Sequence, residues 1–159
     1  METEPLGIRG FLANPVNVRK INRAIRRALR HKRRGGLILT RILVVDSDFL
    51  ARDAVVKSLS RAGYDVRGVA DENDAMNAYC EQPADLVIAD LNRPAGQGLE
   101  TVASFRRLFP ELRILAISPS RGPLDSNVAV CSTLGATRTM VRPFESEELL
   151  DAVRDLAGI

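Results

Sequence analysis

The sequence predicts an α/β protein built on a parallel sheet with helices on both faces. Strand-like and helix-like segments alternate through five successive β-α units, and the connections between them are short. Such alternation is typical of parallel sheets whose crossover helices cover both faces. The segments 42–45 and 86–89 are uninterrupted apolar runs, a pattern that indicates strands buried on both faces.

Local signals set the bounds of each element. Gly63 ends one helical pattern, Pro110 interrupts another, and Asp71 to Asp74 form a capping signal. The last helix opens with acidic residues at 145–148, as the helix dipole favours. The predicted strands are 41–46, 64–69, 85–90, 113–118 and 137–141, and the predicted helices are 48–62, one following 71–74, 98–108, 124–134 and one opened by 145–148.

Two of these helices have candidate core stripes. The helix at 48–62 is predicted to bury Leu50, Ala54, Val55 and Leu59. The helix that follows Asp71 is predicted to carry Ala75, Met76 and Tyr79 in its apolar stripe.

Charge divides the chain into two segments. Residues 1–41 hold eleven Lys and Arg against two Glu, whereas residues 42–159 hold twelve Lys and Arg against eighteen Asp and Glu. The formal net charge of +3 therefore averages a basic segment and an acidic one. We expect a basic N-terminal extension at 1–40 and a folded domain at 41–159.

The extension contains a predicted amphipathic helix. It begins at Asn14-Pro15 and ends before Gly35-Gly36, and basic residues cover the faces around an apolar stripe of Val18, Ile21, Ile25 and Leu29. Three interpretations stay open. The segment is a solvated leader, for example one that results from a gene start placed too far upstream, or residues 16–34 contact nucleic acid or an anionic surface. In the third interpretation, the apolar stripe packs on the acidic domain or on a partner. No aromatic residue lies among the basic ones, so base stacking is unsupported.

Several function classes are disfavoured by composition. The longest apolar runs are strand-sized and no secretory signal is present, so we expect a cytoplasmic protein without a transmembrane segment. Cys80 and Cys131 are far apart, each within a helical pattern, and are expected to be buried reduced thiols. His31 is the sole histidine and lies in the basic segment, so a histidine-based metal cluster or catalytic triad is not available.

Three further chemical interpretations are also disfavoured. The segment 96–98, Gly-Gln-Gly, lacks the spacing and the lysine of a nucleotide-binding loop and is predicted to be a turn. Ser118 has no plausible base partner, which disfavours a hydrolase. A flavin is disfavoured because the acidic turn after the first strand would repel its phosphate.

Carboxylates end both of the apolar strands. Asp90 ends the run 86–89, and Asp46 follows the run 42–45. In an open parallel sheet, ligands bind at the carboxyl ends of strands where the strand order reverses. If the two strands are neighbours at that point of the sheet, Asp46 and Asp90 form a pocket that suits either a bound cation or a reactive carboxylate.

These motifs bear a family resemblance: residues 42–157 resemble the receiver domain of bacterial two-component response regulators. The resemblance extends over the whole segment and rests on five motifs: Ile-Leu-Val-Val-Asp at 42–46, Asp-Leu-Val-Ile-Ala-Asp-Leu-Asn-Arg-Pro at 85–94 with Gly98, Ile-Leu-Ala-Ile-Ser at 114–118, Leu-Gly-Ala at 134–136, and Val-Arg-Pro-Phe at 141–144. It implies a flavodoxin-like, doubly wound five-stranded parallel sheet of order 2-1-3-4-5, here preceded by a basic helical extension.

The resemblance also implies roles for individual residues. Asp90 matches the phosphoacceptor, which receives its phosphoryl group from a histidine kinase or phosphotransfer protein. Mg²⁺ would be held by Asp46, Asp90 and the backbone carbonyl of Asn92. Ser118 and Arg142 match the residues that contact the phosphoryl group, and Thr139 lies at the switch position.

Four positions depart from the family pattern. Ser47 replaces the second acid of the metal site, which weakens Mg²⁺ binding about ten- to a hundredfold if about 1.4 to 2.8 kcal/mol is lost. Pro119 has no N–H to offer a phosphoryl oxygen. Arg142 replaces a lysine, and Thr139 replaces an aromatic residue. Asp48 lies one residue too late to substitute for the missing acid and is predicted to cap the following helix.

The resemblance therefore implies a signalling switch and not an enzyme. We expect a stand-alone receiver, since no output domain follows Ile159, that acts on a downstream protein by contact. The alternative is a pseudo-receiver that binds its partner without phosphorylation.

A specific hypothesis concerns Arg142. We expect its guanidinium to pair with Asp90 or Asp46, to substitute in part for Mg²⁺, and to lower the pKa of the carboxylate that it contacts. The family pattern also implies a cis peptide bond before Pro143.

Overall fold

A five-stranded parallel sheet forms the centre of the computed structural model, which describes residues 14–33, 40–91, 97–119 and 134–157. The strands are β1 (Arg41–Val45), β2 (Asp65–Val69), β3 (Leu86–Asp90), β4 (Arg113–Ser118) and β5 (Arg138–Val141). The helices of the described segments are α1 (Pro15–Arg33), α2 (Phe49–Arg61), α3 (Glu72–Glu81), α4 (Gln97–Leu108) and α5 (Ser146–Ala157).

The strand order is β2-β1-β3-β4-β5, and every neighbouring pair is parallel. The predicted order 2-1-3-4-5 and the flavodoxin-like fold class are therefore confirmed. The order reverses between β1 and β3, so the carboxyl ends of these two strands border the crevice where such sheets bind ligands. Residues 124–133 of the helix predicted at 124–134 lie outside the described residues.

The three central strands bury side chains on both faces of the sheet. Because side chains alternate along a strand, Leu43, Val45, Val87 and Ala89 join one hydrophobic cluster with α3 and α4. The intervening residues join a second cluster with α2 and α5, whose strand members are Ile42, Val44, Leu86, Ile88, Leu115 and Ile117. This two-sided burial explains the uninterrupted apolar runs of the sequence.

Helix α2 buries a different face from the predicted one. Val55 and Leu59 are buried, but Leu50 is 76% exposed and Ala54 is also exposed. At 100° per residue, Leu50 and Ala54 point away from the Val55–Leu59 face, so the four predicted positions cannot share one buried stripe. In α3 the predicted residues Ala75, Met76 and Tyr79 are all buried.

Helix α1 packs against α3 on the outer side of the first cluster. Ile21 and Ala24 are buried there, and Ile25 is partly buried. Arg27 Nη1 donates a hydrogen bond to the backbone carbonyl of Glu81 at 3.2 Å, at the end of α3. Of the three interpretations of the basic segment, packing of its apolar stripe on the chain's own domain is the one that the structure displays.

The core beneath α1 includes a thiol. Cys80 is 5% exposed, and burial raises the pKa of its thiol to about 11. This agrees with the prediction of a buried reduced cysteine at position 80, whereas Cys131 lies outside the described residues. Within the described segments, no helix is long and apolar enough to cross a membrane.

Candidate functional site

Two buried aspartates lie side by side at the carboxyl edge of the sheet. Asp90 is the last residue of β3 and Asp46 directly follows β1, and each is 4% exposed. The pairing of Val45 with Ala89 brings these strand ends to the same level. The sheet therefore places the two predicted carboxylates together at the point where the strand order reverses.

The side chain of Arg142 joins the two aspartates. Its Nη2 atom lies 2.8 Å from Asp90 Oδ2 and 3.4 Å from Asp46 Oδ2, and its Nε donates to Asp90 Oδ2 at 3.3 Å. The backbone N–H of Arg142 donates to the carbonyl of Ser118 at 3.0 Å, which fixes the start of the side chain beside β4. The expected ion pair and the expected cis peptide bond before Pro143 are both present.

Asp46 is held by contacts at three points. Its Oδ1 atom accepts a hydrogen bond from the Asp48 N–H at 2.9 Å, and its backbone carbonyl accepts one from Arg52 Nη1 at 2.7 Å. Its own N–H donates to the Val69 carbonyl at 3.0 Å. The carboxylate is therefore fixed with Oδ2 directed at Arg142.

The pKa of Asp46 is raised above its ordinary value, contrary to the expected lowering. Burial is the largest cause, and the negative charge of Asp90 acts in the same direction. The Asp48 N–H and the guanidinium of Arg142 both lower the pKa but do not outweigh burial. The guanidinium of Arg142 therefore compensates for only part of the free-energy cost of burying the charged Asp46 carboxylate.

Asp48, two residues beyond Asp46, serves as a helix cap. Asp48 Oδ1 accepts from the N–H groups of Leu50 and Ala51 at 3.0 and 3.3 Å, which confirms its prediction as the N-cap of α2. Ser47 is exposed. Among the residues that the structure describes, no group of three or more His, Cys, Asp or Glu could hold a metal ion.

The remaining predicted positions are distributed around this pair. Ser118 ends β4, is 4% exposed and lies opposite Val141 of β5. Thr139 is half-buried in β5 opposite Ala116, and Pro119 follows β4 directly. Asn92, whose carbonyl was expected to bind metal, lies outside the described residues.

Two residues of the site have structural roles that were not predicted. Gly98 belongs to the motif that carries the resemblance and begins the helix predicted at 98–108, although the segment 96–98 was also predicted to be a turn. It lies in the first turn of α4, where an added Cβ would come within 2.7 Å of Leu91 Cα and 2.8 Å of the Asp90 carbonyl oxygen. The sequence offered the glycine but not this close approach. Arg52 donates a hydrogen bond to the Asp46 carbonyl. The sequence does not indicate this role, because an arginine on a helix is usually solvated.

The oxygen atoms of the pocket suit a small hard cation only in part. Asp46 and Asp90 supply the carboxylate oxygens that Mg²⁺ prefers. Their Oδ2 atoms, however, both face Arg142 Nη2, so a metal and this guanidinium would compete for the same oxygens. The two carboxylates are thus of the right chemical type for Mg²⁺, but Arg142 already contacts the Oδ2 atom of each.

Fold and pocket together define a class of protein: a doubly wound α/β domain with two buried carboxylates at its switch point. The profile of the response regulator receiver domain matches residues 42–154. The chain therefore belongs to the response regulator receiver family, whose domains act in two-component signalling and typically bind Mg²⁺ at an acidic pocket.

Relatives and solved structures agree with this assignment. The response regulator MprA of Mycolicibacterium vanbaalenii is 34% identical over 116 residues, which are 73% of this chain and 49% of the relative. The regulatory protein VirG of Agrobacterium fabrum is 31% identical over 73% of this chain and 45% of its own length. The chain thus spans about half the length of these curated relatives. The chemotaxis protein CheY4 of Vibrio cholerae matches with a TM-score of 0.68 and 28% identity, over 75% of this chain and 99% of that one.

Proposed function

We propose that this chain is a receiver that accepts a phosphoryl group on Asp90 and signals by contact with a downstream protein. The observation that carries the proposal is the buried Asp90 carboxylate at the end of β3, with Arg142 Nη2 at 2.8 Å. A cation held at that distance can shift from the carboxylate to the oxygens of an incoming phosphoryl group. The donor would be a histidine kinase or a phosphotransfer protein.

The reaction is a displacement at phosphorus. A carboxylate oxygen of Asp90 attacks, the bond from phosphorus to the donor nitrogen breaks, and the nitrogen keeps the electron pair. An acyl phosphate forms, and its added negative charge lies where Arg142 can bind it. The hydroxyl of Ser118, at the end of the adjacent strand, is the candidate donor to a phosphoryl oxygen.

Mg²⁺ would be held by Asp46, Asp90 and the carbonyl of Asn92, and would neutralise charge on the transferring group. We infer that its binding is weak, because Ser47 supplies no carboxylate and Arg142 already contacts both aspartates. Thr139 remains the candidate switch position.

In this proposal the chain contacts its downstream target through one output surface. It comprises β5, α5 and the helix predicted at 124–134. Contact of residues 16–34 with nucleic acid or an anionic surface is a separate proposal.

The test is incubation with acetyl phosphate and Mg²⁺, followed by intact-mass measurement. The parent chain should gain one phosphoryl group, and the Asp90→Asn variant should gain none. The matched control Asp155→Asn removes an exposed carboxylate from α5 and should be phosphorylated like the parent. No gain in the parent, or a gain that persists in Asp90→Asn, contradicts the proposal.

A pseudo-receiver is the second candidate function. It is favoured by Ser47, by Pro119 and by the contact of Arg142 with both aspartates. In this alternative the guanidinium of Arg142 takes the place of a metal ion in the pocket, and a partner binds the domain without phosphorylation.

A metal titration separates the two candidates. Ser47→Asp adds a carboxylate beside Asp46 and should tighten Mg²⁺ binding at least tenfold, because an added unit charge attracts a nearby divalent ion by several kcal/mol before solvation offsets part of it. Ser60→Asp, at an exposed position in α2, is the control for added charge and should leave the Mg²⁺ affinity unchanged. If Ser47→Asp also leaves it unchanged, the pseudo-receiver is the better description.

A further inference from the structure

We propose that α1 binds the backbone of duplex nucleic acid through Arg19, Arg23 and Arg26 while its opposite face stays packed on α3. The proposal is independent of phosphorylation at Asp90. It rests on three features of the described residues: the alignment of the arginines, the docking of the helix and the distribution of charge.

The three arginines form a stripe along one side of α1. Their spacing of four and then three residues places them within an arc of about 60° on the helix surface. All three are exposed. Ile21 and Ala24, which are buried against the domain, lie on the other side of the helix. The stripe therefore faces outward.

The stripe is also held in place. The packing of Ile21 and Ala24, together with the hydrogen bond from Arg27 to the Glu81 carbonyl, fixes the rotation of α1 relative to the domain. A docked helix loses less conformational entropy on binding than a helix that must first fold.

The dimensions and charge of the stripe suit a polyanion. Arg19 to Arg26 spans about 10 Å along the helix, and a DNA duplex carries one negative charge per about 1.7 Å of its axis. In the sequence, basic residues continue at 30 and 32–34, whereas residues 42–159 hold eighteen acidic residues against twelve basic ones. The net negative charge of the domain should repel a polyanion, which favours contact through α1.

Duplex nucleic acid is favoured over the other anionic partners. An amphipathic helix that binds a membrane inserts its apolar face, and here that face is buried on α3. Single-stranded nucleic acid is usually bound by base stacking on aromatic side chains, and residues 14–34 contain no Phe, Tyr or Trp.

The experiment measures binding of the full chain to a fluorescent 20-base-pair DNA duplex by anisotropy, across a salt series. The variant Arg19→Gln, Arg23→Gln, Arg26→Gln should bind at least tenfold more weakly at 0.1 M salt. It should also lose about 2.7 units from the slope of log K against log salt, since each phosphate contact contributes about 0.9. A single strand of equal length should bind the parent more weakly than the duplex does.

A matched control removes the same charge elsewhere. Arg61→Gln, Arg107→Gln, Arg154→Gln changes exposed residues on α2, α4 and α5 and should retain the parent's slope to within one unit. Equal losses in both triple variants, or no loss in the α1 variant, would overturn the proposal. So would sedimentation of the parent with phosphatidylserine–phosphatidylcholine vesicles in the absence of duplex binding.

Discussion

Arg142 sets the electrostatic balance of the pocket at the scale of single residues. Its side chain is 28% exposed, whereas those of Asp46 and Asp90 are 6% and 4% exposed. One permanent cation thus contacts two buried carboxylates. The free energy of the folded state should therefore depend on this one guanidinium.

Replacing Arg142 by Met should destabilise the folded domain by about 1–3 kcal/mol at neutral pH, because two buried carboxylates would lose the guanidinium that contacts both of them. The pKa of Asp46 is already raised, and the loss of a cation that lowers it would raise it further. A raised folded-state pKa makes the charged acid destabilising above that pKa. The deficit should therefore shrink as the pH falls through it. Urea unfolding between pH 4 and 8 measures the effect.

Arg138→Met supplies the comparison for this change, since it removes another arginine, from the strand that Arg142 directly follows. Arg138 pairs with Asp155 at 2.9 Å, but both side chains are largely exposed, so its loss should cost under about 1 kcal/mol. If Arg142→Met is as stable as the parent at neutral pH without metal, Arg142 is not the resident counter-ion.

Helix α1 shows, at the scale of a single element, what an amphipathic pattern can and cannot predict. The spacing of Val18, Ile21 and Ile25 predicts a helix with one apolar face. It does not specify which surface that face will cover, because an apolar stripe gains similar free energy from any apolar partner. The structure selects α3, through Ile21 and Ala24.

An acidic residue in place of Ile21 should undock α1 and expose the core beneath it. At pH 8, Ile21→Asp should raise the rate of iodoacetamide labelling of Cys80 at least tenfold in a Cys131→Ser background. The parent thiol has a pKa of about 11 and is buried, so only about 0.1% is thiolate at that pH. In the parent, the labelling rate should still increase with pH at pH 9, because the thiol is far from fully ionised there.

Val18→Asp is the control on the same helix. Val18 is 40% exposed, so an acid there should leave α1 docked and Cys80 protected. Equal labelling rates in Ile21→Asp and in the parent would mean that α1 does not shield the thiol.

For the molecule as a whole, the sequence predicted the sheet order, the strand bounds to within a residue or two, and the positions of Asp46 and Asp90 at strand ends. These features follow from periodicity, turn residues and a resemblance that extends over the domain. The buried face of α2 was mispredicted because Leu50 was assigned to the core on its apolar character alone. Leu50 is exposed, and apolar residues are common on protein surfaces.

What the sequence could not supply depends on distances between segments far apart in the chain. The pKa of Asp46 is the balance of burial against two opposing contacts, and its sign cannot be obtained without their magnitudes. Arg52 is another case, because its role depends on the position of the Asp46 carbonyl.

The contact at Gly98 has a mechanical consequence. A methyl group does not fit between this residue and the backbone of Asp90 and Leu91, so the first turn of α4 touches the end of β3 with no side chain in between. Closely packed backbones transmit displacement because neither can yield without a clash. A displacement of a few tenths of an ångström at the strand end near Asp90 would therefore shift the first turn of α4 as well.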